Sequence, residues 1–372
     1  MNTKYSVIVP VFNRPDEVDE LLHSLTQQTV KSFEVIIVED GSTTPCKDVC
    51  DKYADILDLH YYFKENSGPG QSRNYGAERA KGEWIIVLDS DVVLPPGYLH
   101  SVECRVESVE FANAPQDTPS AVESSTLSNP KLSCDAYGGP DAAHPSFTPV
   151  QKAISYSMTS FFTTGGIRGG KKKGALDKFY PRSYNMGIRR KVYQELGGFS
   201  KMRFGEDIDF SYRIVEAGYK TALIPEAWVW HKRRTDFTKF FRQVFNSGIA
   251  RINLSKRHPG TLKLVHLLPT VFTLGVIALI LISAVGRLLM YYCGNDQWRW
   301  LCLAPWIPIV LYCLVIFNDA AIRNRSPKVG LLAIPAAFTQ LMGYGLGFIK
   351  AWWKRCVLGQ DEFTAFEKTF YK

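Results

Sequence analysis

The chain has 372 residues, a formal net charge of +8 and 46% apolar side chains, room for one large domain or two. No nucleic-acid motif and no interleaving of basic and aromatic residues accompanies the positive charge, so nucleic acid is excluded as a partner and an anionic membrane surface or a phosphate-bearing substrate is favoured. Eight scattered cysteines without a C-x-x-C exclude a disulfide framework or zinc site and fit a reducing compartment.

The N-terminus runs straight into a strand, Tyr5 to Val9, so no cleavable signal peptide is expected; Pro10 is expected to stop that strand. After the turn Val11-Phe12-Asn13-Arg14-Pro15, Asp16 opens a helix whose Val18, Leu21, Leu22 and Leu25 recur at helical spacing. Phe33 to Val38 reads as a second strand, ending in Glu39-Asp40-Gly41-Ser42. A helix over Asp48 to Leu57 and a strand over Leu59 to Phe63 follow. The turn Glu65 to Gly70 feeds a helix that begins near Gln71 and carries Arg73, a geometry suited to anions. The run Trp84 to Leu88 has no polar alternation, the pattern of a strand covered on both faces. It ends in Asp89-Ser90-Asp91. Two carboxylates crowded at a strand end repel each other unless a cation or hydrogen-bond donors neutralise them, and hard oxygen ligands suit Mg²⁺ or Mn²⁺. Strands and helices alternate four times in ninety residues, which predicts right-handed βαβ crossovers and an α/β fold with a mostly parallel sheet.

Tyr98 to Val109 reads as a helix, residues 113–130 as a surface loop, Cys134 to Tyr137 as a strand and Gly138-Gly139-Pro140-Asp141 as a turn. A helix is expected within Thr148 to Phe162. Residues 163–174 then combine glycines with Arg168, Lys171, Lys172 and Lys173, a flexible backbone attractive to phosphate. Tyr184 to Ile188 is a short strand and Lys191 to Leu196 a helix. Phe204-Gly205-Glu206-Asp207-Ile208-Asp209 leads into a helix from Phe210 to Ala217, where Asp207 alone would read as a cap. Strands over Tyr219 to Ile224 and Ala227 to His231 bring His231 to an end position, before a basic, aromatic helical stretch up to His258.

In order, Val7-Ile8-Val9-Pro10-Val11-Phe12-Asn13, Val38-Glu39-Asp40-Gly41-Ser42, Asn66 to Gly76, Leu88-Asp89-Ser90-Asp91 and Gly205-Glu206-Asp207-Ile208-Asp209 resemble the motifs of the inverting GT-A glycosyltransferases of family 2. The resemblance covers Lys4 to His231. It implies a GT-A, Rossmann-like catalytic domain and a nucleotide-diphosphate sugar as donor, a UDP-sugar by preference. It places donor binding at Pro10, Phe12, Asn13, Asp40, Gly68, Arg73, Asp89 and Ser90, with Asp40 at the base. Asp91 matches the direct ligand of a divalent ion, Mg or Mn, and His231 a further metal-side position. Asp207 matches the catalytic base, with Glu206 beside it on the acceptor side, where Arg168 and Lys171 to Lys173 also fall. The Gln-x-x-Arg-Trp of processive members is absent, which favours transfer of a single sugar.

From Leu264 the chain turns strongly apolar. Leu264 to Tyr292, Trp298 to Ile322 and Val329 to Trp353 are each long enough to span a bilayer. Basic residues before the first span (Arg251, Lys256, Arg257, Lys263) and after the second (Arg323, Arg325, Lys328) put both flanks and the catalytic domain in the cytoplasm. A third crossing would leave Lys354 and Arg355 outside, which the same rule disfavours, so that segment is expected to cross or to be re-entrant or interfacial. The organisation expected is a glycosyltransferase domain over 1–235, a basic juxtamembrane segment over 236–263, a transmembrane region over 264–353 and a tail over 354–372. The function expected is sugar transfer to a lipid-linked or glycan acceptor at the inner membrane. The competing reading is a non-catalytic nucleotide-sugar-binding or scaffold subunit, and a transporter is disfavoured by the few ionisable residues in the spans.

Overall fold

The computed structural model describes residues 3–106, 133–144, 146–165, 179–202, 204–293 and 296–362. They fall into two units: a sheet unit within Met1–Ala142 and Lys172–Lys232, and a helical unit within Ala143–Lys171 and Arg233–Phe363. The strands are β1 (Tyr5–Val11), β2 (Phe33–Asp40), β3 (Leu59–Lys64), β4 (Trp84–Leu88), β5 (Val92–Val93), β6 (Ala136–Gly138), β7 (Asp141–Ala142), β8 (Asn185–Arg189), β9 (Thr221–Leu223) and β10 (Val229–His231). The helices are α1 (Pro15–Thr26), α2 (Lys47–Asp51), α3 (Pro69–Ala77), α4 (Tyr98–Arg105), α5 (Pro149–Thr159), α6 (Phe161–Thr164), α7 (Arg190–Glu195), α8 (Glu206–Glu216), α9 (Phe237–Arg257), α10 (Leu268–Cys293), α11 (Arg299–Leu303), α12 (Ile307–Asn324) and α13 (Pro327–Trp352).

In the sheet unit, seven strands lie in the order β3-β2-β1-β4-β8-β6-β9. β3, β2, β1 and β4 are parallel, as the alternation of strands and helices predicts, whereas β8 runs antiparallel to both β4 and β6. Alternate side chains leave opposite faces of each strand. Val7, Val9, Val35 and Ile37 therefore pack with Leu21, Leu22 and Leu25 of α1 and Leu99 of α4. Ile8, Ile36, Ile85 and Val87 pack with Val192 of α7 and Phe210 and Ile214 of α8. All of β1, β2 and β4 is buried. Each such Val or Ile is worth about 1.5–3 kcal/mol over an exposed position.

Several boundaries differ from the sequence reading, among them the second helix, which ends at Asp51 and not Leu57, and two of them bear on the site. Pro10 does not end β1, which continues to Val11 beside Glu39 of β2. On the other side, β4 pairs only with Tyr5 to Ile8, so Pro10 leaves no ladder bond unmade there. α8 begins at Glu206, not Phe210, because Gly205 supplies the N-cap with φ +86°. Asp207 thus lies inside the first turn and is not the cap.

A second sheet, β5-β10-β7, is small but positions the site. β10 runs antiparallel to β5, with His231 opposite Val92, and parallel to β7, with Val229 opposite Asp141.

The helical unit holds α5, α6 and α9 to α13. Three of its segments are long and apolar enough to cross a membrane: Leu268–Cys293, Arg299–Asn324 and Pro327–Val357. α9 packs on α13 through small residues. A Cβ on Gly248 would fall 2.2 Å from the Tyr344 carbonyl oxygen, and one on Gly347 would fall 2.0 Å from that of Phe245. Close backbone approach at small residues is the usual way helices pack without large side chains between them.

Candidate active site

Asp89 and Asp91 stand just past the carboxyl end of β4, the edge at which open α/β sheets take ligands. The β5–β10 pairing brings His231 to them. The Asp91 Oδ1 lies 3.3 Å from the His231 Nε2, and the Arg14 guanidinium donates to Asp91 Oδ2 at 2.7 Å. Asp141, on β7, sets a carboxylate 3.7 Å from His231 Nδ1, and the Tyr184 ring stacks on the imidazole at 5.1 Å. Asp89, Asp91 and His231 each offer one ligand atom within 4.8 Å of the others. Two carboxylate oxygens and an imidazole nitrogen at that spacing fit a divalent cation.

The neighbouring strand ends form the loops beside this cluster. Asp40, only 2% exposed, ends β2. Its carboxylate accepts from the Lys64 ammonium, from Ser67 N at 2.9 Å and from Gly68 N at 2.8 Å. Asp40 thereby folds the glycine turn that starts α3. Gly68 adopts φ +90° there, a conformation that a side chain would strain. Asn13, at φ +53°, ties the β1–α1 turn to the loop after β2: its Oδ1 accepts from Thr43 N and Thr44 N at 2.8 and 2.9 Å. Its own N–H donates to Ser42 Oγ at 2.8 Å, and Ser42 in turn donates to the buried Glu39. Pro10 is buried in β1, Phe12 is half-buried in the turn beyond it, and Ser90 is buried between the two aspartates.

Arg73 connects this sheet edge to α8. Its side chain is 4% exposed; one guanidinium nitrogen donates to Asp89 Oδ1 at 2.8 Å and another to Glu206 Oε1 at 3.1 Å. The group lies over the Phe199 ring at 5.1 Å. Next to Glu206, Asp207 accepts from Arg182 Nε at 2.6 Å. Burial pushes the Asp207 carboxyl up, but Arg182 and, behind it, Arg73 outweigh this and hold it below the usual carboxylate range. Burial pushes Glu206 up; Arg73 opposes the rise and Asp207 adds to it. Two adjacent carboxylates are thus driven apart, with Asp207 the one kept ionised.

The structure therefore gathers Asp89, Asp91 and His231 in one cluster and joins it through Arg73 to Glu206, beside Asp207. Asp40, Gly68 and Asn13 build the loops of the same edge. Arg168, Lys171, Lys172 and Lys173 lie outside the described residues. Sequence reading did not single out Arg14, Lys64, Asp141, Arg182 or Tyr184. For Lys64 a signal existed, since parallel register sets it opposite Asp40 at the ends of adjacent strands. Asp141 had none, because only the β7–β10 pairing brings it near His231.

A mostly parallel sheet with paired aspartates at its carboxyl edge and a further carboxylate on a neighbouring helix is the arrangement of a GT-A glycosyltransferase. Residues 6–109 match the model of Glycosyl transferase family 2, and residues 183–318 that of Glycosyl transferase family group 2. The chain belongs to the family 2 glycosyltransferases. It is 36% identical over 112 residues to an uncharacterized glycosyltransferase of Rickettsia felis, a match covering 30% of this chain and 18% of that one. It is 28% identical over 261 residues to the pre-mycofactocin glycosyltransferase of Mycobacterium tuberculosis, covering 68% and 48%. The chain thus matches less than half the length of either relative. In fold it is similar to the mannosyltransferase PcManGT of Pyrobaculum calidifontis, solved with GDP-Man and Mn²⁺, with a TM-score of 0.52 and 14% identity over 95% of this chain and 88% of that one.

Proposed function

We propose that the protein is a membrane-anchored inverting transferase that moves one sugar from a nucleotide-diphosphate donor to a lipid-linked or glycan acceptor. The observation that carries this reading is the coupling of two groups: the cluster Asp89, Asp91 and His231, and the ionised Asp207 reached from it through Arg73 and Glu206. A scaffold subunit has no use for a base held ionised beside such a cluster.

In this reading the loops folded by Asp40, Gly68 and Asn13 hold the nucleoside, with Pro10, Phe12 and Ser90 as the floor of that cleft. A divalent ion held by Asp91, with Asp89 and His231, would neutralise the departing diphosphate. Asp207 takes the proton of the acceptor hydroxyl as the oxygen attacks the anomeric carbon. A single displacement from the face opposite the leaving group inverts that carbon. Arg182 keeps Asp207 unprotonated between turnovers.

A uridine donor is the form we favour, and a cytoplasmic catalytic unit at the inner membrane is the location, with α10 and the α11–α12 segment as crossings. The cell-surface glycan or glycolipid under construction is the natural acceptor class. Anomeric configuration of the product, read by NMR on a transferred hexose, tests the mechanism: inversion is expected, and retention rules out single displacement with Asp207 as base.

A further inference from the structure

By length and composition α13 looks like a third membrane crossing, but its packing within the helical unit differs from that of the other two. Of its apolar window 44% is buried, against 11% for α10 and 6% for the α11–α12 segment. The cover comes from α9 and α5, whose compositions do not suit hydrocarbon, and from α10 and α12, which meet α13 at Pro269, Phe272 and Thr273 and at Tyr312, Ile316, Phe317 and Ala320.

α9 and α13 lie side by side and parallel. Phe237, at the start of α9, packs on the cluster of Ala333, Ala336 and Ala337. Gly343 faces Phe241 and Val244, Gly347 faces Phe245, and Ile252 packs on Phe348 and Ala351. At the far ends, the Lys256 ammonium donates to the Arg355 carbonyl, and Arg257 pairs with Glu362 at 2.9 Å. Contact is therefore in step from one end of α9 to the other. Across 21 residues this is about 31 Å at 1.5 Å per residue, the thickness of a bilayer core.

That register is incompatible with α13 crossing. A spanning α13 would draw α9 through the membrane beside it, carrying Arg242, Asn246 and Arg251 into hydrocarbon. Each arginine costs about 2.5–3.5 kcal/mol at the bilayer centre. α5 adds to the conflict: Ala153 and Tyr156 pack on Ala333 and Ala336 of α13, so Gln151, Lys152 and Ser155 would be dragged in as well. Tyr156 also donates to Asp319 of α12 at 2.7 Å, which fixes α5 at the end of α12 where Arg323 follows.

We infer that α13 does not cross the membrane but lies with α9 against a single leaflet, so that the chain crosses twice and its C-terminal end returns to the side that carries α9. The partner is the anionic headgroup surface of that leaflet. Lys350, Lys354 and Arg355 then join Arg251, Lys256, Arg257 and Lys263 on one side, the arrangement that the positive-inside rule favours. The exposed Trp352 and Trp353 supply the interfacial aromatic anchor. This inference rests on the membrane anchorage proposed above and not on the sugar chemistry.

Three native cysteines exposed in the structure test it without substitution: Cys104 in the sheet unit, Cys293 at the end of α10 and Cys356 just past α13. The full-length protein in sealed vesicles of either orientation is treated with a membrane-impermeant maleimide, and the labelled peptides are read by mass spectrometry. Cys356 and Cys104 should react from one face and Cys293 from the other. A fluorescent protein fused after Lys372 should then fluoresce, and alkaline phosphatase fused there should be inactive. Labelling of Cys356 from the face of Cys293, or an active phosphatase fusion, overturns the inference. Labelling of Cys293 from the face of Cys104 instead overturns the anchorage on which it rests. Loss of transferase activity bears on neither result.

Discussion

At the scale of single residues, the two acidic groups of the site differ in their partners. Asp207 has Arg182 at 2.6 Å and is held below the usual carboxylate range, so it stays a base as the medium is acidified. The sign follows directly: a lowered value keeps the group deprotonated to lower pH, and the acidic limb of kcat/KM should fall below that of an ordinary carboxylate. Arg182→Ala should move that limb to higher pH, and an unmoved limb would mean that Asp207 is not the titrating base. Asp207→Asn should cut turnover by about 10²–10⁴-fold with donor binding retained. At Asp91, Arg14 occupies the carboxylate that a divalent ion would take. Arg14→Ala should tighten Mn²⁺ binding measured by calorimetry without nucleotide, by about tenfold, the worth of one charge-assisted hydrogen bond. Unchanged or weaker binding would show that Arg14 does not compete with the ion.

At the scale of elements, Arg73 on α3 is the clamp between the end of β4 and the start of α8. Its removal leaves the buried end of Glu206 and the Asp89 carboxylate without that cation, and breaking such a pair costs about 3–5 kcal/mol. Arg73→Ala should therefore lower the thermal midpoint as well as activity; loss of activity alone would mean that the clamp contributes no stability. Gly248→Leu should force α9 off α13 at a cost of about 1–3 kcal/mol, read as a lower midpoint of the helical unit. The strands and helices of the donor half were legible in the sequence because buried parallel strands are unbroken apolar runs and their carboxyl ends carry Asp40, Asp89 and Asp91. Strands β8 and β10 were also read, as Tyr184 to Ile188 and Ala227 to His231, but the antiparallel direction of β8 and the partners of β10 were not, because the two-residue β5 and β7 have no periodicity to read. His231 was legible as a strand end, its metal-side position only by resemblance, and its contacts with Asp91 and Asp141 only in the fold. The start of α8 was misread because a left-handed glycine cap looks like any other loop glycine until its φ is known.

At the scale of the whole molecule, the expected behaviour is that of an integral membrane protein: α10 and the α11–α12 segment expose apolar side chains along their lengths, and 11% and 6% of their apolar windows are buried. Extraction should require detergent and resist alkaline wash. The central claim is nucleotide-sugar-dependent transfer at the Asp91–Asp207 site. Its most direct test is release of nucleoside diphosphate by the purified full-length protein, across UDP- and GDP-sugars, with Mn²⁺ or Mg²⁺. One donor should be consumed faster than the rest, with the release abolished by chelator and by Asp91→Ala and cut sharply in Asp207→Asn. Binding of a nucleotide sugar with no release from any donor, in acceptor-containing membranes as well as in detergent, would contradict the account and leave a binding subunit in its place.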